Sequence, residues 1–146
     1  MLYTKEYSIS RQEAWIATLK LKVQLYCGDE IALGPGKAEL LGQIARSGSI
    51  SAAARAMGMS YRRGWLLVDA MNRCFREPLV ETHPGGGADR GARLTANGGQ
   101  VLAAYVELLQ RIESAAESQE FEVLQRAILP LPRATEARRS AGKPAL

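Results

Sequence analysis

Apolar and polar residues alternate along this chain with two different periods, and each change of period marks an element. Leu19, Leu21, Val23 and Leu25 alternate with Lys20, Lys22 and Gln24. A period of two predicts a strand with one buried face. Gly28-Asp29 is turn chemistry, and Glu30 to Leu33 returns as a second strand before Gly34-Pro35-Gly36. From Lys37 to Arg46 the period lengthens, placing Ala38, Leu41, Ile44 and Ala45 on one side of a helix. Ser47-Gly48-Ser49 interrupts it. Ser49 or Ser51 then caps a short helix striped by Ile50, Ala53, Ala54 and Met57. Gly58 stops that helix, and Ser60 caps a third running from Tyr61 to Phe75. Trp65 shares a side with Val68, Met71 and Phe75, which assigns it to the core.

Leu79 to Thr82 reads as a strand, Ala92 to Leu94 as its return, and Pro84 to Gly91 as a glycine-rich hairpin loop between them. Thr95 or Asn97 opens a long helix in which Val101, Leu102, Tyr105, Leu108, Leu109 and Ile112 keep helical spacing. A second apolar patch follows at Phe121, Leu124, Ala127 and Ile128, and Pro130 and Pro132 end helix-compatible sequence. Ser10-Arg11-Gln12-Glu13 has the form of a capping box within an N-terminal extension, residues 1–18. Residues 19–129 read as one domain and 130–146 as a disordered basic tail.

This order describes a mainly α fold with small β elements: a winged helix–turn–helix with an N-terminal β-hairpin and a long C-terminal dimerisation helix. Helix–turn–helix units join two helices through a short turn that often holds glycine, here Gly58-Met59-Ser60. The second helix opens with Tyr61-Arg62-Arg63. The first turn of a recognition helix contacts base edges in the major groove, where an arginine can bond guanine O6 and N7 together. The hairpin supplies a wing carrying Arg90 and Arg93. Burial of Val101, Tyr105, Leu108 and Ile112 against a second copy would drive dimerisation, because one helix cannot hide both this stripe and the 121–128 patch.

Charge sharpens the picture. The net charge is +4, but residues 49–95 hold 7 basic and 4 acidic side chains while residues 96–129 hold 2 and 5. A basic zone centred on the third helix is the electrostatic footprint of a nucleic-acid binder. The 146 residues suffice for about one domain. No apolar run approaches the ~20 residues that cross a bilayer, and the first residues lack a signal-peptide pattern, so a cytoplasmic protein is expected.

With these residues in view, the chain resembles the DNA-binding part of ModE-type molybdate-responsive transcription regulators and, more distantly, the helix–turn–helix of LysR-type regulators. The resemblance rests on Gly34 to Ile44, Ser47 to Trp65, Met71-Asn72-Arg73, Leu79-Val80-Glu81 and Gly91 to Thr95. It implies a winged helix, a homodimer joined by long helices, and double-stranded operator DNA as the partner. It also implies that Ser60, Tyr61, Arg62 and Arg63 enter the groove with Arg90 and Arg93 on the wing. Ser49 and Ser51 complete the expected DNA-binding set. Members of that family add oxyanion-binding domains after the long helix, and the residues after 130 are too few for one. Molybdate sensing is therefore not carried over, and no cofactor is expected.

An enzyme is not expected. His83 has no nucleophile or carboxylate partner in sequence, and Gly34-Pro35-Gly36-Lys37 lacks the spacing and the following Ser or Thr of a P-loop. Two cysteines and one histidine cannot close a four-ligand zinc site in one chain. The competing reading is a metal- or oxyanion-responsive sensor working through protein contacts, with Cys27, Cys74 and His83 doubled across a dimer.

Overall fold

The computed structural model describes residues 17–83 and 91–136. The capping box at 10–13, Arg90 with most of the glycine loop, and the tail from 137 lie outside the described residues. Residues 20–115 make one compact unit, and residues 17–19 with 116–136 belong to a second.

The first unit begins with a hairpin of β1 (Leu25–Cys27) and β2 (Glu30–Leu33), which pair antiparallel around a turn where Gly28 takes φ +59°. That sign of φ is the left-handed region that glycine enters without steric cost. Helices α1 (Pro35–Ser47), α2 (Ile50–Ala56) and α3 (Tyr61–Cys74) follow. Next come a second hairpin, β3 (Val80–His83) with β4 (Gly91–Leu94), and the long helix α4 (Ala96–Ala116). Pro35 opens α1, where a missing N–H is no loss, and Gly48 at φ +69° ends it with its N–H on the carbonyl of Ile44.

Three elements meet in the core. Leu33 of β2, Leu40, Leu41 and Ile44 of α1, and Met71 of α3 are fully buried, as is Leu79 at the entry to β3. Burying each such side chain contributes about 1.5–3 kcal/mol. Asn72 locks the α3–β3 connection. Its Oδ1 accepts from the N–H groups of Leu79 and Val80 at 2.9 and 3.1 Å, and its amide donates to the carbonyl of Val80 at 3.0 Å. Thr95 then caps α4: its hydroxyl oxygen accepts from the N–H of Gly98 at 2.9 Å and donates to the carbonyl of Pro78.

Two sequence expectations need correction. The strand expected over Leu19–Leu25 is not one: residues 17–24 are irregular, and β1 begins only at Leu25. The alternation itself is real, since Leu21 and Val23 are half-buried while Lys20 and Lys22 are exposed. Extended chain buries one face with or without a ladder partner, and periodicity reports only the burial. Trp65 is not core but 46% exposed. The buried stripe of α3 runs through Gly64, Val68 and Met71, and Trp65 lies one position round from it, four residues on from exposed Tyr61.

In the second unit, α5 (Gln119–Ala127) is capped by Ser118, whose hydroxyl accepts from the N–H of Phe121 at 3.2 Å. Residues 128–135 are irregular.

Candidate nucleic-acid interface

The α2–α3 turn is built by backbone rather than by side chains. Gly58 takes φ +69°, and the N–H of Met59 reaches back to the carbonyl of Ala54 at 3.0 Å. Ser60 caps α3, its Oγ accepting from the N–H of Arg63 at 3.1 Å. The two helices cross at Gly64, where a Cβ would stand 3.0 Å from that of Ala54. With Gly64 turned inward, Tyr61, Arg62 and Arg63 are turned outward. Tyr61 is 57% exposed, and both arginines are exposed.

The state of the arginines separates them. Arg73 is gripped by Glu30 and Asp69, Arg93 by Glu81, and Arg111 by Glu107. Arg62 and Arg63, like Arg46, Arg55 and Arg76, have no ion-pair partner among the described residues, but these two stand together at the start of α3. Two unneutralised guanidinium groups at a helix N-terminus, where the backbone N–H groups carry partial positive charge, make an anion-seeking surface.

Beside them opens a groove of about 600 Å³ lined by Ser49, Ile50, Ser51, Tyr61, Thr82, His83, Gly91 and Ala92. No carboxylate of the described residues is in that lining. The wing is held against the α1–α2 turn. The N–H of Ala92 donates to the carbonyl of Gly48 at 2.9 Å, and a Cβ at Gly91 would lie 2.8 Å from that same oxygen. Only glycine at 91 lets the wing approach this closely. Ser49 is committed to capping α2, accepting from the N–H of Ala52 at 3.2 Å, and Ser51 is exposed.

Of the residues expected to touch DNA, the groove gathers Ser49, Ser51 and Tyr61, with Ser60, Arg62 and Arg63 on the adjoining turn of α3. Arg93 lies apart on the exposed side of β4, in its ion pair with Glu81. Thr82 and His83 line the groove although neither is in the expected DNA-binding set. The signal that finds them is the register His83↔Gly91, because the residue opposite a wing held at Gly48 must face the same opening.

Among the residues expected at a dimer interface, Tyr105 needs correction. It is 3% exposed within its own chain, and its hydroxyl donates to the carbonyl of Val23 at 2.8 Å. Burial also raises its pKa. Val101 and Ile112 are half-buried, Leu108 is 41% exposed, and Val106, not singled out before, is 44% exposed. Glu113 is a buried carboxylate of the same helix. Among the described residues no group of three or more His, Cys, Asp and Glu is placed to hold a metal ion. No helix among them is long and apolar enough to cross a membrane.

Residues 37–99 match the family described as bacterial regulatory helix-turn-helix protein, lysR family. The chain is 41% identical over 99 residues to the molybdenum-pterin-binding protein MopB of Rhodobacter capsulatus, covering 63% of this chain and 37% of that one. It is 36% identical over 116 residues to the transcriptional regulator ModE of Yersinia pestis, covering 80% of this chain and 40% of that one. A similar match, 37% identical over 109 residues, joins it to the DNA-binding transcriptional dual regulator ModE of Escherichia coli K12. The chain thus spans roughly two fifths of the length of these relatives.

Proposed function

We propose that this chain, related in sequence to ModE over four fifths of its length, is a transcription regulator that binds double-stranded DNA as a homodimer and is not an enzyme. The observation that carries the reading is the pair of exposed guanidinium groups of Arg62 and Arg63 at the capped start of α3, neither with an ion-pair partner among the described residues. They border a groove walled by the wing, to which the described residues contribute no carboxylate. A helix entering the major groove by its first turn would put Arg62 or Arg63 on base edges and Ser60 and Tyr61 beside the phosphates. Ser49, Ser51, Thr82 and His83 would meet the flanking backbone, and Arg90 and Arg93 would serve the wing. A protein with this role works in the compartment that holds the DNA, the bacterial cytoplasm.

A second copy would present two such helices about 34–36 Å apart, on one face of a pseudo-palindromic site. The sensor alternative gains no support. Cys74 ends α3, about 20 Å of helix from Tyr61, which begins it and lines the groove that His83 also lines.

The test is selection of bound fragments from genomic DNA, followed by anisotropy titration of the selected site. Arg62→Ala or Arg63→Ala should each cost about 1–3 kcal/mol and relax base preference where the contact is bidentate. A phosphate-only contact should instead weaken all sequences evenly and lower the salt slope by about 1. Wild-type affinity in the double variant would end the assignment.

A further inference from the structure

We propose that Cys27 and Cys74 form a redox-active dithiol that a hydroperoxide closes into an intrachain disulfide, tying the β1–β2 hairpin to the end of α3. The placement starts from the hairpin register. Cys27 ends β1, and its cross-strand partner is Glu30, the first residue of β2. Residues paired in this way project to the same face, their Cβ atoms about 4.5–5.5 Å apart. Glu30 is held at two points by Arg73, at 2.9 and 3.1 Å, and Arg73 immediately precedes Cys74. The grip therefore fixes the hairpin's turn end against the last turn of α3. Through Glu30 and Arg73 the two cysteines come to the same junction of hairpin and helix. Both are free, Cys27 exposed and Cys74 half-buried.

The surroundings divide the roles. Burial is the main influence on the Cys74 thiol and pushes its pKa up, with Cys27 beside it acting in the same direction and Arg73 opposing. Lys37 of α1 is a further cation close to Cys74. The exposed Cys27 is the sulfur a peroxide reaches first, and Cys74 is the sheltered partner. None of these groups belongs to the groove, which lies at the opposite end of α3.

The chemistry balances. The Cys27 thiolate attacks one oxygen of hydrogen peroxide and breaks the O–O bond. The sulfur becomes a sulfenic acid, and the departing hydroxide takes a proton and leaves as water. The Cys74 thiolate then attacks the Cys27 sulfur, forming S–S and expelling the sulfenic oxygen as a second water. Two thiols are oxidised by two electrons, and one peroxide is reduced to two waters. A dithiol reductant reverses the bond by exchange.

The experiment uses the full chain, treated with hydrogen peroxide, then alkylated and weighed intact. The expected product has lost two hydrogens, takes up no alkylating agent, and yields a linked Cys27–Cys74 peptide that disappears on reduction. In Cys74→Ser, Cys27 should be trapped by dimedone as the sulfenic acid. In Cys27→Ser, the Cys74 thiol should stay alkylatable at the same dose. Disulfides only between chains, oxygen added to Cys27 without the internal link, or no reaction would each overturn the proposal. Because the readout is mass, these outcomes are independent of whether the chain binds DNA.

Discussion

An added methyl at Gly98 would lie 2.0 Å from the carbonyl oxygen of Leu79, whereas at Gly99 nothing stands within 4 Å. The two glycines are adjacent in the first turn of α4 and face different surroundings. Replacing glycine by alanine inside a helix gains about 1 kcal/mol of propensity. Gly99→Ala should show that gain as a higher urea midpoint. Gly98→Ala must displace the Leu79 backbone, whose oxygen also accepts the Thr95 N–H at 2.9 Å, and should lose about 1–3 kcal/mol. Equal midpoints for the two variants would show that α4 does not seat on Leu79 as described. A carboxylate supplies a second test at this scale. The Arg73 hydrogen bonds hold the Glu30 carboxyl below its ordinary pKa. A lowered folded pKa means stability that is present above the ordinary carboxylate range and lost as pH falls through the folded value. The midpoint advantage of wild type over Glu30→Gln should therefore shrink between about pH 6 and pH 3, and high salt should shrink it too. Single residues were the least legible scale. Sequence placed Arg62 and Arg63 outward correctly, because charged side chains are rarely buried without partners. It placed Trp65 inward because an aromatic next to an apolar stripe carries no mark of which side of the stripe it takes.

Elements were read more surely, because their signals are local. Gly48 and Gly58 end helices α1 and α2, and Ser49 and Ser60 cap α2 and α3, each doing what backbone sterics and one hydroxyl require. Ser60→Ala removes the acceptor for the Arg63 N–H and should cost about 1 kcal/mol of stability, while Ser60→Asp should retain the cap. DNA affinity sorts the two contributions. If Ser60 only shapes the turn, the aspartate variant folds like wild type yet binds DNA less well through charge repulsion alone, and that loss should fade as salt rises. The N-terminal hairpin was legible as an alternation but not in its extent. Residues 20–23 bury every second side chain without joining a ladder among the described residues, and only pairing distinguishes the two cases. The groove was illegible for a related reason. Thr82 and His83 enter it because β4 is hydrogen-bonded to Gly48, a contact between residues far apart in sequence that no local pattern encodes.

At the scale of the whole molecule, the question is what α4 does with the apolar surface its own chain leaves open. Tyr105 is spent inside the fold, so the outward surface is Val106 and Leu108. Val106 borders a concavity of about 180 Å³ between α1 and α4, lined also by Pro35, Ala38, Glu39, Gly42, Arg46, Leu102, Tyr105 and Leu109. Glu39 Oε2 is buried there without a hydrogen-bond partner among the described residues. A buried carboxylate oxygen left unpaired is costly, which argues that this face is completed by something beyond the described residues. In the proposed homodimer a second copy of α4 would be the occupant, which would also serve a twofold DNA site. Val106→Asp places charge at this concavity without entering the core, so each chain should keep its unfolding midpoint at low concentration. Sedimentation should then shift from the proposed dimer to a 15.9 kDa monomer. Joining two half-site contacts raises overall affinity by about 10²–10⁴ over one. The monomeric variant should lose a factor in that range on a full palindrome and almost nothing on an isolated half-site. A variant that stays dimeric moves the interface to another face, and one that turns monomeric yet keeps full affinity removes the twofold geometry from the recognition of DNA.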